Sequence, residues 1–182
     1  MHSIETTSRR SRPPRRWISS GRCSRSSGCA RVAMQSNSDF EDILLAFNAE
    51  GVKYLVVGAY AVAAHSRPRA TGDIDLWIEA SPENARRVFR ALAAFGAPME
   101  DLDERTFFEP DIVFQIGVPP IRIDVLTGID GVSFAQAWPN RVASKVGKAP
   151  TNVLGRADLL RNKKASGRAK DLADIERLER DA

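Results

Sequence analysis

Three aspartates stand where a strand would not be expected to carry them. Asp73 and Asp75 flank Ile74 in "TGDIDLWIEA" (Thr71 to Ala80), and Asp124 sits in "IRIDVL" (Ile121 to Leu126). Both stretches are otherwise rich in strand-forming apolar residues. Strands disfavour Asp, and a carboxylate buried without a partner is costly. Alternation removes the conflict, because residues two apart share one face of a strand. Ile74, Leu76 and Ile78 then point into a core, while Asp73, Asp75, Trp77 and Glu79 point away from it. The same count turns Ile121, Ile123 and Val125 inward and Arg122 and Asp124 outward. If the two strands are neighbours, three carboxylates converge on one face. Left alone they would repel one another and their pKa values would rise. A hard divalent cation with oxygen ligands, Mg²⁺ above all, relieves that repulsion. The plainer alternatives are a solvated strand face for Asp73 and Asp75, and an Arg122 partner for Asp124.

Gly58 adds a second half to this site. It stands where the apolar strand "KYLVVG" gives way to the short helix "AYAVAAH". A strand-to-helix turn presents free backbone N–H groups and the positive end of the helix to an anion. Phosphate at Gly58 and metal at Asp73 and Asp75, fifteen residues on, would together make a nucleoside triphosphate site. Other charged residues read less specifically. His65, in the last turn of its helix, complements the helix dipole. Arg67 and Arg69 lie in the Pro-containing loop "SRPRATG". Lys163, Lys164, Arg168 and Lys170 form a charge run of the kind that usually faces solvent. Within it, Lys164 and Arg168 are four apart and would share a helix face.

The elements that must position these residues alternate in type. "SDFEDILLAFNAEG" predicts a first helix, with Ser38 and Glu41 as a capping box and Gly51 as its stop. A strand, a short helix, the loop and the Asp73–Glu79 strand follow. Ser81 and Pro82 open a further helix that runs to Gly96. The acidic region from Ala97 to Pro110 reads as irregular. "DIVFQIG" and "IRIDVLTG" predict two strands, "SFAQAWP" a short helix, and "RVASKV" an extra edge strand. Residues 156–181 read as helical with a break near Gly167. The expected fold class is α/β in the α+β sense: a small mixed sheet flanked by helices, closed by C-terminal helices.

Charge divides the chain in two. Residues 1–33 hold eight Arg, no Lys and the single acid Glu5, a charge of +7. The whole chain is +4, so residues 34–182 carry −3. The Arg-, Ser- and Pro-rich tail has little from which to build a core and is expected to be disordered. It reads as a nucleic-acid-binding arm, as a transit peptide, or as the product of a start codon upstream of Met34, the reading favoured by a capped helix just beyond that residue. Both cysteines, Cys23 and Cys29, lie in the tail, so the body has neither a disulfide framework nor a thiolate metal site. The longest near-apolar run, Leu55 to Ala64, is too short to span a membrane. These features predict one cytoplasmic domain over residues 34–182, with no membrane association.

The stretch "VVGAYAVAAHSRPRATGDIDL" resembles the minimal nucleotidyltransferases of the DNA polymerase β-like superfamily, and within it toxin-type members related to the abortive-infection AbiEii group. The family pattern is a strand, a Gly-Gly or Gly-Ser pair, a short helix and Arg-x-Thr-x-Asp-x-Asp. Gly58, Arg69, Thr71, Asp73 and Asp75 match it, and Asp124 matches the third carboxylate. "LLRNKKASGRAKDLADIERL" is similar to the Lys-rich segment that closes many such proteins, with Lys164, Arg168, Lys170 and Asp171 in the matching places. The resemblance runs from about Asp39 to Leu178. At the second residue of the pair this chain has Ala59, which keeps a backbone N–H for phosphate but offers no hydroxyl. The resemblance implies a polymerase β-like fold and Mg²⁺-dependent transfer of a nucleoside monophosphate from an NTP to a hydroxyl on RNA, such as tRNA, or on protein. It implies a toxin–antitoxin or phage-defence setting with a cognate antitoxin. It also implies roles: Asp73, Asp75 and Asp124 as ligands for one or two Mg²⁺ ions, and Arg69, Lys164 and Lys170 as phosphate cations. A second expectation is an NTase-like module that binds nucleotide or a partner protein without turnover. A Rossmann dinucleotide site is the weakest reading, since "GAYAVA" supplies one glycine where several are needed.

Overall fold

The computed structural model describes residues 16–20, 36–66, 71–99, 102–118 and 121–180. It is a mixed α/β fold, with six α-helices among the described residues set around one open sheet. Six strands come from the body: β2 (Tyr54–Val57), β3 (Asp73–Ile78), β4 (Ile112–Val118), β5 (Ile121–Leu126), β6 (Val142–Val146) and β7 (Ala149–Val153). A seventh, β1 (Arg16–Ser20), comes from the basic tail and pairs in parallel with β4. The strand order is β1-β4-β5-β3-β2-β7-β6.

The strand within 16–20 departs from the expectation of a structureless tail. Without it β4 would be a sheet edge, with a row of unpaired N–H and C=O groups. The rest of the tail lies outside the described residues.

One face of the sheet carries the main core. Ile74, Leu76 and Ile78 of β3 lie in register with Ile123 and Val125 of β5 and with Val56 and Tyr54 of β2. All are buried. Helix α1 (Ser36–Ala49) covers this face through Phe40, Ile43, Leu44 and Phe47, spaced as one helical stripe and almost fully buried. Phe47 meets Tyr54 edge to face, with ring centroids 5.4 Å apart. Phe107, in the single 3₁₀ turn Glu104–Phe108 of the expected irregular region, meets Phe114 of β4 in the same manner. Each such side chain contributes about 1.5–3 kcal/mol through burial. Helix α3 (Pro82–Phe95) packs against both α1 and the 3₁₀ turn. It is bounded as expected: Ser81 Oγ accepts from the Asn84 N–H, and Gly96 closes it at φ 85°.

The other face carries the polar residues. Trp77 departs from the expected outward exposure, because Phe134 of α4 (Phe134–Ala137) packs on it edge to face at 5.1 Å. The remaining helices are α2 (Gly58–His65), α5 (Arg156–Ser166) and α6 (Ala169–Arg180). One boundary and one strand differ from the sequence reading. Helix α1 begins at Ser36, two residues before the expected cap. Strand β7, in "APTNV", has no counterpart in the sequence reading; its Pro150 is a residue that strand interiors disfavour. Pro150 is exposed on the hairpin with β6, where Asn48 Nδ2 donates to its carbonyl.

Candidate active site

The register brings the aspartates together. Strands β3 and β5 run parallel, with Asp75 opposite Asp124 and Asp73 opposite Arg122. In-register residues of neighbouring strands share a face and lie about 4.8 Å apart along the hydrogen-bonding direction. On the far side of β5, Gln115 of β4 is opposite Asp124 and donates from Nε2 to its Oδ1 at 3.1 Å. On the far side of β3, Val57 of β2 is opposite Asp75. Gly58 follows immediately.

Gly58 meets Asp75 closely. Its φ of 61° lies in the left-handed region, and a Cβ placed there would sit 1.9 Å from Asp75 Oδ2. No residue but glycine fits without moving the carboxylate. The carboxylate of Asp75 is thus set against the backbone of the first turn of α2, whose leading N–H groups have no partner within the helix. Val57, its N-cap residue, makes no side-chain capping hydrogen bond.

A cavity of about 300 Å³ opens above this floor. Gly58, Ala59, Thr71, Asp73, Asp75 and Asp124 all line it, as does Lys170. The α5–α6 corner contributes Lys163 and Arg168 as well, and with them the acid Asp174. Thr71 acts through the backbone: its Oγ1 accepts from the Asp73 N–H and donates to the Asp73 carbonyl, each at 3.3 Å. This fixes the start of β3 at the cavity mouth. Arg69 lies outside the described residues.

Lys164 lies elsewhere. It does not line the cavity; its Nζ reaches Glu179 Oε1 at 3.3 Å and its side chain is 59% exposed. The expected face shared by Lys164 and Arg168 does not exist, because Gly167 ends α5 in the left-handed region at φ 63°. Its neighbour Lys163 turns inward instead. There Lys163 Nζ donates to Asp171 Oδ1 at 2.7 Å and to Asp174 Oδ2 at 2.8 Å, all three side chains being buried. Arg168 Nε donates to the other oxygen of Asp171 at 2.9 Å. Sequence reading also passed over Gln115 and Asp174. The signal for Gln115 is one polar residue in the apolar "IVFQIGV"; Asp171 and Asp174 share a helix face by their spacing of three.

Electrostatics divide the carboxylates. Asp75 is pushed up to about 6, first by burial and then by the charges of Asp124 and Asp73, against the pull of Lys170 and Lys163. Burial also raises Asp124, opposed by Arg122 and Gln115. Asp171 behaves oppositely. Burial acts to raise it, but hydrogen bonds from Lys163 and Arg168 outweigh that and hold it at about 2.

The donor set suits a hard cation by chemistry: three carboxylates, all oxygen, at one cavity floor. Among the described residues, however, no three acidic, His or Cys side chains are drawn together closely enough to hold an ion as they stand. Arg122 lies against two of the three carboxylates. Its Nη2 lies 3.2 Å from Asp73 Oδ2 and its Nε 2.9 Å from Asp124 Oδ1. Among the described residues, no helix is long and apolar enough to cross a membrane. Compared with protein-family models and with curated proteins, the chain matches none.

Proposed function

We propose that this chain is a Mg²⁺-dependent nucleotidyltransferase, moving a nucleoside monophosphate from an NTP to a hydroxyl of a macromolecule, RNA or protein. The observation that carries the reading is one cavity lined by both signs of charge. Asp73, Asp75 and Asp124 line it, and so do Lys163, Arg168 and Lys170, together with Gly58 and Ala59 of the first turn of α2. Polyphosphate needs cations, and transfer to a hydroxyl needs carboxylates close by. Asp73, Asp75 and Asp124 would hold one or two Mg²⁺ ions, which when bound neutralise phosphate charge and the developing charge of the leaving group. The chain's own residues do the rest. Backbone N–H groups at Gly58 and Ala59 donate to phosphate oxygens, and Lys170 and Arg168 orient the polyphosphate. Asp124 accepts the proton of the attacking hydroxyl. The acceptor oxygen bonds to the α-phosphorus as pyrophosphate leaves. A cytoplasmic toxin or phage-defence protein with a cognate antitoxin is the setting this activity fits.

Labelled NTPs with Mg²⁺ and either total tRNA or cell lysate test the proposal. Label transfer by wild type, lost in Asp73→Ala with Asp75→Ala, is the expected result. Absence of transfer, or equal transfer by the double variant, refutes it. One observation favours a second reading, a nucleotide-binding module without turnover: Arg122 already engages Asp73 and Asp124. Calorimetry showing nucleotide binding with no transfer to either acceptor pool selects that reading.

A further inference from the structure

We propose that Arg122 is a built-in counter-cation of the carboxylate floor, which an incoming divalent ion must displace, so that the ion alone binds this chain weakly. The inference rests on the nucleotidyltransferase reading above and concerns what that site does before it is loaded. Arg122 is placed for this by register. It stands opposite Asp73 across the β3–β5 ladder and two residues before Asp124, so all three side chains leave the same face. Its guanidinium reaches both: Nη2 is 3.2 Å from Asp73 Oδ2 and Nε is 2.9 Å from Asp124 Oδ1.

The two contacts differ in quality. The Nη2 contact is a hydrogen bond. Nε is close enough to Asp124 for an ion pair, yet it has no hydrogen-bond partner although buried. Its N–H is not aimed at the carboxylate oxygen. The guanidinium is therefore held to Asp124 by charge without the aligned fork that makes Arg–carboxylate pairs strong. Asp124 Oδ1 also accepts from Gln115, so it keeps one hydrogen-bond donor if Arg122 leaves. A contact built this way neutralises the floor, and an ion that takes these oxygens must first break it. A divalent cation seeks the same oxygens, and two positive groups a few ångströms apart in a partly buried site repel strongly. Arg122 and the ion exclude one another.

Mn²⁺ titrated into the metal-stripped full-length chain, followed through the electron paramagnetic signal of the free ion, tests this. Arg122→Gln is expected to bind Mn²⁺ roughly tenfold more tightly than wild type, with Arg122→Lys in between. Without metal, Arg122→Gln should melt below wild type, and Mn²⁺ should raise its melting temperature more than it raises that of wild type. Arg122→Lys keeps a charge at the site and serves as the folded variant if the Gln variant does not fold without metal. Unchanged or weaker Mn²⁺ binding in the variants, with wild-type binding intact and abolished by Asp73→Asn with Asp75→Asn, overturns the role of Arg122 and leaves the site reading standing. No Mn²⁺ binding by wild type or any variant overturns the site reading, and the inference with it.

Discussion

Asp75 holds its proton up to about pH 6, whereas in the unfolded chain it would lose it near 3.8. The folded form therefore binds the proton more tightly. This contribution to stability is fully present below pH 4 and is lost as pH rises through 6. Asp75→Asn removes the loss, so the metal-free variant should be more stable than wild type by about 1–3 kcal/mol at pH 7.5, with the gain vanishing toward pH 4. Urea melts at the two pH values check it; a gain independent of pH would contradict the raised pKa. Gly58 sets a harder limit. Because its Cβ would fall 1.9 Å from Asp75 Oδ2 at a φ of 61°, Gly58→Ala should cost about 2–4 kcal/mol through strain and displacement of the carboxylate. Nucleotide binding measured by calorimetry should fall with it, and retention of both would show that the turn tolerates a side chain. Both residues were legible in the sequence, Asp75 from alternation and Gly58 from its place between strand and helix. Their contact was not, since it needs the β2–β3 pairing that only the fold supplies.

At the scale of elements, the α5–α6 corner shows where a linear reading fails. A run of four cations says little about which one faces inward, and a spacing of four suggested Lys164. The left-handed Gly167 breaks the helix before Arg168, and the choice between Lys163 and Lys164 is then made by α6, which brings Asp171 and Asp174 to Lys163. Those partners were one helix away and in no local pattern. Lys163→Met would leave Asp171 with Arg168 alone and Asp174 buried without its lysine, a change expected to cost about 3–5 kcal/mol. Lys164→Ala removes an exposed pair and should change stability by less than about 0.5 kcal/mol. Thermal melts of the two variants side by side test the assignment, and the opposite ranking would return the role to Lys164. The strand pair β6–β7 was half legible for a similar reason. Pro150 argues against a strand unless its hydrogen-bonding edge is free, and that is known only once β7 is placed in the sheet.

For the molecule as a whole, the sheet joins two parts that composition had separated. The acidic body carries the cavity, and the Arg-rich tail lends it an edge strand through the parallel pairing of Arg16–Ser20 with Ile112–Ile116. Composition argued for a tail with no role in the fold, since a segment so poor in apolar residues cannot build its own core. It can still complete a core built elsewhere, because ladder hydrogen bonds need only backbone. Ile112, Val113, Phe114 and Ile116 of β4 are all buried. A chain beginning at Met34 would expose the β4 edge beside these apolar side chains, which is the arrangement that favours pairing between molecules. Such a variant should keep the cavity, because β4 still pairs with β5 over six residue pairs and Gln115 remains opposite Asp124. It should melt roughly 3–6 °C below the full chain, a shift equivalent to about 1–2 kcal/mol at this size. It should also self-associate with rising concentration in size-exclusion chromatography, while its nucleotide affinity stays within about twofold of the full chain. Equal melting temperatures and a monomeric truncated chain would mean that β1 contributes nothing to the sheet. A lost nucleotide affinity would mean that the tail reaches the site itself.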